Sequence, residues 1–209
     1  MSAGPIEELR KEHQVLLADA KDLEAAVRAL SGDGNASWTE VGGSLRERLE
    51  IFHRSLRLHF RREEEGLFPD VQEMVSQRSQ RSDVMVQFFA QEGEDDMNAH
   101  VVLSMRTEDM LSLIDEIQAA GTVHRQSLAR LRTLANLTRN LLERHADKED
   151  RLIFPMVERA LDQLQLEEVA KRLSALGSAA DLLDSTTQEP GDAPSGRDED
   201  LSDLSMGDE

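Results

Sequence analysis

The chain has 209 residues, 39% of them hydrophobic and 32% charged, with a formal net charge of −18 and no cysteine. The missing cysteine excludes disulfides, iron–sulfur clusters and thiol catalysis, and the strong negative charge argues against binding to nucleic-acid phosphates. No stretch resembles a signal peptide or reaches the roughly 20 apolar residues of a membrane span, so we expect a soluble, cytoplasmic protein without membrane partners.

The predicted elements are all helices, because apolar residues recur at helical spacing and no segment alternates as a strand would. A turn-forming cluster at 31–37 separates the first two helices, Pro69 is expected to bend or end the second, and Gly121 to stop the third. The predicted helices cover about 6–30, 41–68, 96–120, 123–154 and, as a short extra C-terminal helix, 158–176.

The end of the chain has a different composition. Between Asp181 and Glu209 there are ten acidic residues and one basic residue, together with proline, glycine and serine, which is typical of disorder. We therefore expect a folded domain over 1–177 and an acidic disordered tail over 178–209. The tail either keeps the protein soluble or serves as a docking peptide through its last apolar residues.

An internal repeat organises the helical part. HFRREEEGLFPDV at 59–71 resembles HADKEDRLIFPMV at 145–157, and KEHQVLL at 11–17 resembles NAHVVLS at 98–104. Histidine, glutamate, phenylalanine and proline align in the longer pair. Two helical hairpins of one design therefore follow each other, which favours an up-down-up-down four-helix bundle.

The repeat also predicts where its histidines meet. In each hairpin the histidines are about equally far from the turn, so all four are expected in one layer, and each HxxxE motif adds a glutamate on the same helix face. Such a layer suits iron, manganese or zinc; two glutamates, one per hairpin, could bridge two metals, and burying them without cations would be costly. The candidate metal ligands are His13, His59, Glu63, His100, His145 and Glu149.

With these motifs, residues from about Ile6 to Arg159 resemble the hemerythrin-like (HHE cation-binding) domain. The resemblance implies a non-haem centre of two iron ions, bridged by oxo or hydroxo groups and by carboxylates. It makes the four histidines iron ligands and assigns the bridging role to Glu63 and Glu149. It also implies O2, H2O2 or NO as the small ligand.

One position departs from the oxygen-carrying hemerythrins of the family, which have a fifth histidine where this sequence has Ser104. The resemblance then implies that water takes one iron position, which favours peroxide, nitric oxide or redox chemistry over plain oxygen carriage. The four-His, two-Glu set also resembles the di-iron domain of iron–sulfur-repair proteins, whose cysteine-bearing segment has no counterpart here.

Three functions follow as hypotheses. The first is a di-iron protein that binds or consumes oxygen species, with peroxide breakdown by a catalase- or peroxidase-like oxidoreductase as its reaction. The second is an iron or oxygen sensor or an iron-handling module that acts through a protein partner, and the third a structural metal-binding bundle without redox activity. By the same resemblance, the tail is a candidate signal for a protein nanocompartment shell.

Other polar residues are expected outside the metal layer. His53 lies on another helix face than His59, and His124 falls at a turn, so both are interpreted as structural or solvated. Glu64, Glu65 and Asp150 are expected to be exposed charges, with Glu64 also a candidate to hold a ligand histidine or to serve as a substitute metal ligand. Two aromatic residues, Phe68 and Phe154, are expected to form a dry rim beside the site.

Overall fold

The structure is a computed structural model that describes residues 4–30, 35–78 and 84–178. These ranges contain no strand, and none of their helices is long and apolar enough to cross a membrane. Their helices are α1 (Pro5–Ala29), α2 (Asn35–Arg61), α3 (Phe68–Arg78), α4 (Val84–Ala120), α5 (Arg125–Lys148), α6 (Phe154–Ala160) and α7 (Gln163–Leu176), with π-helical segments π1 (Arg62–Leu67) between α2 and α3 and π2 (Glu149–Ile153) between α5 and α6.

Four long helices form the bundle. α1 packs against α2 and α5, and α4 packs against the same two helices, so the four enclose a common interior. The predicted all-α, up-down-up-down four-helix bundle is thereby confirmed. The predicted extra helix is α7, which packs on π1 and α1; the predicted acidic tail lies outside the described residues from 179 onward.

Two apolar clusters fill the interior, and the spacing along α1 shows what lies between them. Leu9 belongs to a smaller cluster near α6 and α7, whereas Leu16 belongs to a larger cluster that runs along the bundle. His13, between these two leucines, is fully buried. The histidine layer is therefore sandwiched between two apolar regions, which keep water away from it.

Two helices begin earlier than the sequence predicts. α2 starts at Asn35, inside the predicted turn cluster, and the ring of Trp38 packs so closely on Gly42 that a Cβ there would lie 2.9 Å from it. The free energy gained by burying this tryptophan outweighs the low helix propensity of the turn-forming residues around it. α4 starts at Val84 rather than near Asp96, and the residues between them include no proline that would stop a helix.

The chain continues as helix through Pro69, so the prediction that this proline ends a helix is wrong, although α2 gives way to π1 just before it. Proline normally clashes with the carbonyl four residues earlier. In π1 the Phe68 N–H bonds to the Glu63 carbonyl, five residues back, and in π2 the Phe154 N–H bonds in the same way to Glu149. The widened turn before each proline removes the clash, and it also carries the glutamate of each HxxxE motif.

Candidate metal centre

The six predicted ligands converge in the middle of the bundle. The histidines come from the four long helices, one from each, while the two glutamates come from π1 and π2. None of the six residues is more than 3% exposed. The structure thus places His13, His59, Glu63, His100, His145 and Glu149 in one buried layer.

Glu63 faces both hairpins at once. Its Oε1 lies 3.6 Å from His13 Nε2 and 3.2 Å from His59 Nε2. Its other oxygen, Oε2, lies 3.3 Å from His100 Nε2. One carboxylate therefore has an oxygen on each side of the layer.

Glu149 contacts histidines of both hairpins through one oxygen. Its Oε2 lies 3.1 Å from His13 Nε2 and 3.4 Å from His145 Nε2. Five of the six residues, all except His100, offer ligand atoms within 4.8 Å of one another. His100 lies beside this group and reaches it through Glu63.

Carboxylates outside the layer orient three of the histidines. Nδ1 of His13 lies 2.9 Å from Asp150, Nδ1 of His59 lies 2.9 Å from Glu12, and Nδ1 of His100 lies 2.7 Å from Glu64. Each Nδ1–H donates to its carboxylate, so that Nε2 of the same ring faces the layer, where the neutral ring would present the lone pair that a metal ligand requires.

The internal repeat indicates two of these outer carboxylates, although neither residue stands out when it is considered alone. Glu64 directly follows Glu63, and Asp150 directly follows Glu149, so they occupy equivalent positions of the repeat. Asp150 was expected to be a plain exposed charge, but its side chain is only 34% exposed and it bonds to His13. Glu12, which bonds to His59, was not predicted from the sequence, and the repeat does not indicate it either.

The chemistry of the donors fits metal ions. In the part of the chain that the structure describes, no hydrogen bond reaches Nε2 of His13, His59 or His100, or either carboxylate oxygen of Glu63 or Glu149. Buried polar atoms without partners are costly, and so are two close carboxylates. Neutral imidazoles and carboxylates are the donors that iron, manganese and zinc accept.

The pKa shifts of the buried groups indicate that the layer favours positive charge. Burial lowers the pKa of His13, but the hydrogen bond to Asp150 and the close contacts of Nε2 with Glu149 and Glu63 outweigh burial and raise the pKa to about 12. Burial raises the pKa of Glu149, and the neighbouring Glu63 raises it further. In the metal-free layer a proton on His13 would thus supply positive charge that a bound metal ion would otherwise provide.

Aromatic rings enclose the histidines. Phe154 stacks on His13 with ring centroids 5.4 Å apart and an interplanar angle of 6°, and Phe68 stacks on His100 at 6.5 Å. The structure places both at the site, where they were expected. A third ring, Phe60, was missed; it stacks on His100 at 4.0 Å and 12°.

A surface groove between α2 and α4 reaches the His100 side of the layer. It has a volume of about 780 Å³, and its lining includes His100, Phe60, Glu64 and Ser104. Ser104 is half-buried. Ser104 stands where the oxygen-carrying hemerythrins have their fifth histidine. This residue thus lines a groove that opens to the surface.

The two remaining histidines lie elsewhere. His53 directs Nδ1 to Thr107 Oγ1 at 2.7 Å, on the α2–α4 face, and His124 is exposed just before α5. Neither lies in the layer; the sequence predicted a structural role for His53 and a solvated position for His124, which is exposed.

His53 should make stability depend on pH in a predictable direction. Burial lowers its pKa below the ordinary value of 6.5, so the folded state favours the neutral ring. The unfolded chain therefore binds a proton more readily, and stability falls as pH drops below about 6.5. Urea unfolding of metal-free protein between pH 7.5 and 5 should show a steeper loss for wild type than for His53→Gln. Parallel curves for the two proteins would contradict this prediction.

The fold and the donor set define a helical bundle with a buried histidine–glutamate metal site. The family model of the Hemerythrin HHE cation binding domain matches residues 4–95, which include His13, His59 and Glu63. The predicted resemblance to this domain is confirmed over that stretch. The family match and the buried His/Glu cluster together indicate metal binding, with iron as the expected metal. No curated protein compared with the chain matches it.

Proposed function

We propose that the chain is a non-haem di-iron protein that binds or consumes small oxygen species, with peroxide breakdown as its main reaction. The proposed functional unit is 1–177, and the proposed iron ligands are the six residues of the buried layer. Nitric oxide and dioxygen are the other small ligands that such a centre would accept.

The observation that carries this proposal is the position of Glu63. Its Oε1 faces His13 and His59, and its Oε2 faces His100. A carboxylate with its oxygens directed to two separate sets of imidazoles suits a pair of metals better than one. Glu149, between His13 and His145, would provide a second carboxylate from the other hairpin to hold the metals.

The chain's own residues would set the conditions for the reaction. When bound, a pair of iron ions supplies the redox change and polarises the bound oxygen species. Phe154, Phe60 and the apolar clusters on either side exclude water from the layer. The outer carboxylates hold the imidazoles in one orientation, so that little rearrangement accompanies ligand binding.

Peroxide breakdown is a reaction that such a centre could carry out without a partner that supplies electrons. Two molecules of hydrogen peroxide become two of water and one of dioxygen, so that no outside reductant is needed. The groove that contains Ser104 and His100 offers an entry route for peroxide. Glu64, whose side chain is 34% exposed, reaches from this groove to His100.

The test is metal content and an optical spectrum on full-length protein purified from iron-fed cells, followed by an oxygen-electrode assay with hydrogen peroxide. We expect about two irons per chain, near-ultraviolet bands of an oxo-bridged ferric pair, and oxygen release. Zinc alone, or no metal after anaerobic iron reconstitution, would overturn the redox function and leave a structural bundle. Two irons without peroxide turnover would favour the sensor or iron-handling alternative.

A further inference from the structure

The end of α7 is fixed over π1. A Cβ on Gly66 would lie 2.4 Å from the side chain of Leu173, so the helix packs closely on the backbone there. Arg172 donates through Nε to the Gly66 carbonyl at 3.0 Å and pairs with Asp70. After α7, Gly177 has a φ of 84°, which glycine adopts readily and which ends the helix. The chain therefore leaves the last helix at a defined place.

That place is the edge of a second groove, between α1 and α2. The lining of this α1–α2 groove includes Val15 and Leu16 of α1, Leu58 of α2, and Ser178, and its volume is about 220 Å³. Ser178 is also the last residue that the structure describes. The chain therefore continues into 179–209 directly from this groove.

The α1–α2 groove presents apolar side chains to solvent. Val15 is 55% exposed and Leu58 is half-buried, while Leu16 is buried. Covering such surface with another apolar side chain is favourable. The groove therefore favours an apolar occupant whose charges suit the lining.

The chain that follows Ser178 supplies apolar side chains at once. Its next six residues, at 179–184, are AADLLD, in which two leucines stand between two aspartates. Leu182 is four residues beyond Ser178, and an extended chain of this length spans roughly 13 Å. Lys11 and Val15, which both line the groove, are one helical turn or roughly 6 Å apart. The leucines are therefore within reach of the groove.

The charged side chains of the groove suit that segment as well. Among the described residues of the lining, Arg62 pairs with Glu8 and Glu12, and Lys11 is exposed. The carboxylates are thus partly neutralised, and Lys11 offers a positive charge to the aspartates beside the leucines. The rest of the tail fits less well, because 185–209 contains no two adjacent large apolar residues.

We propose that residues 179–184 of the same chain bind in the α1–α2 groove, with their two leucines against Val15 and Leu58. The segment is the first part of the predicted acidic tail, and the proposal separates it from the remainder. Its attachment to the end of α7 gives a high effective concentration at the groove, so a short apolar contact suffices. The bound segment covers the groove that includes His59, whereas the proposed entry for peroxide lies between α2 and α4.

The test is the reaction of a single thiol with a maleimide in the full chain, which has no cysteine of its own. Val15→Cys places the thiol in the α1–α2 groove. Leu137→Cys places a control thiol on α5, where the leucine is 42% exposed. In each protein the labelling rate is measured by mass spectrometry, with the unchanged tail and with altered tails.

The double change Leu182→Asp and Leu183→Asp should accelerate labelling at position 15 by about tenfold or more, because the charged segment no longer covers the thiol. Labelling at position 137 should not change. The matched control is Leu201→Asp with Leu204→Asp, which makes the same replacements in the distant part of the tail and should leave both rates as they were. Thermal unfolding should show equal stability for all tail variants.

Dilution identifies the occupant. Protection by the segment of the same chain should be independent of protein concentration, whereas protection by a second copy would be lost on dilution and would overturn the proposal. Equal labelling rates at position 15 with the unchanged and the Leu182→Asp, Leu183→Asp tail would also overturn it. The iron content of the same preparations is a separate result that bears on the proposed di-iron function alone.

Discussion

Glu63→Gln should reduce the iron content from about two per chain to less than one, because the amide removes the charge and one of the two oxygens that face separate histidines. Glutamine keeps the size of the side chain, so the packing around π1 should survive. The stabilisation that iron confers on the fold should disappear with the iron. For wild type that stabilisation is about 4 kcal/mol when free metal exceeds its dissociation constant a thousandfold.

Iron content by elemental analysis, and thermal unfolding with and without iron, would measure this effect. The matched control is Glu143→Gln, which changes an exposed glutamate on α5 that pairs with Arg139. It should keep both irons and the full iron-dependent rise in melting temperature, and so should His53→Gln. A Glu63→Gln protein that still holds two irons would show that Glu63 does not bridge them.

Phe154→Ala should lower the free energy of unfolding of the metal-free protein by about 3–5 kcal/mol, more than the other substitutions described here. The ring is fully buried, stacks on His13 and belongs to the smaller apolar cluster. Truncation would leave a cavity between the metal layer and α7. Phe154→Leu should recover most of the loss, because leucine refills much of the space.

Urea unfolding of metal-free protein at pH 7.5 would give these free energies directly. The control is Leu152→Ala, two residues before Phe154 in π2, where truncation of a side chain that is 41% exposed should cost less than about 0.5 kcal/mol. A loss below about 1 kcal/mol for Phe154→Ala would mean that the surrounding side chains close the cavity. In that case the rim beside His13 would be more pliable than its stacking suggests.

The repeat explains why so much of the site was predictable. His59 with Glu63, and His145 with Glu149, are tied together by identical spacing and by the Phe-Pro that follows each pair. Chemistry repeated at one spacing is a stronger signal than any single residue. The same regularity predicted the number and direction of the long helices, which the structure confirms.

The missed features depend on contacts between distant parts of the chain. Glu12 and Arg62 look like ordinary surface charges in sequence, and only the packing of α1 against α2 shows that Arg62 is buried and that Glu12 reaches His59. Phe60 could be assigned to the core but not to the face of His100. The π-helical turns have no residue signature of their own, so Pro69 suggested a break instead.

The single tryptophan has a practical consequence. Trp38 is buried against Gly42 near the start of α2, and the 21 residues to His59 correspond to roughly 30 Å of helix. Its fluorescence should report whether the end of the bundle far from the metal layer is folded. At this distance a bound metal cannot quench the fluorescence by direct contact. Loss of the metal absorption bands with constant tryptophan emission would therefore indicate a folded protein that has lost its metal. Loss of both signals would indicate unfolding.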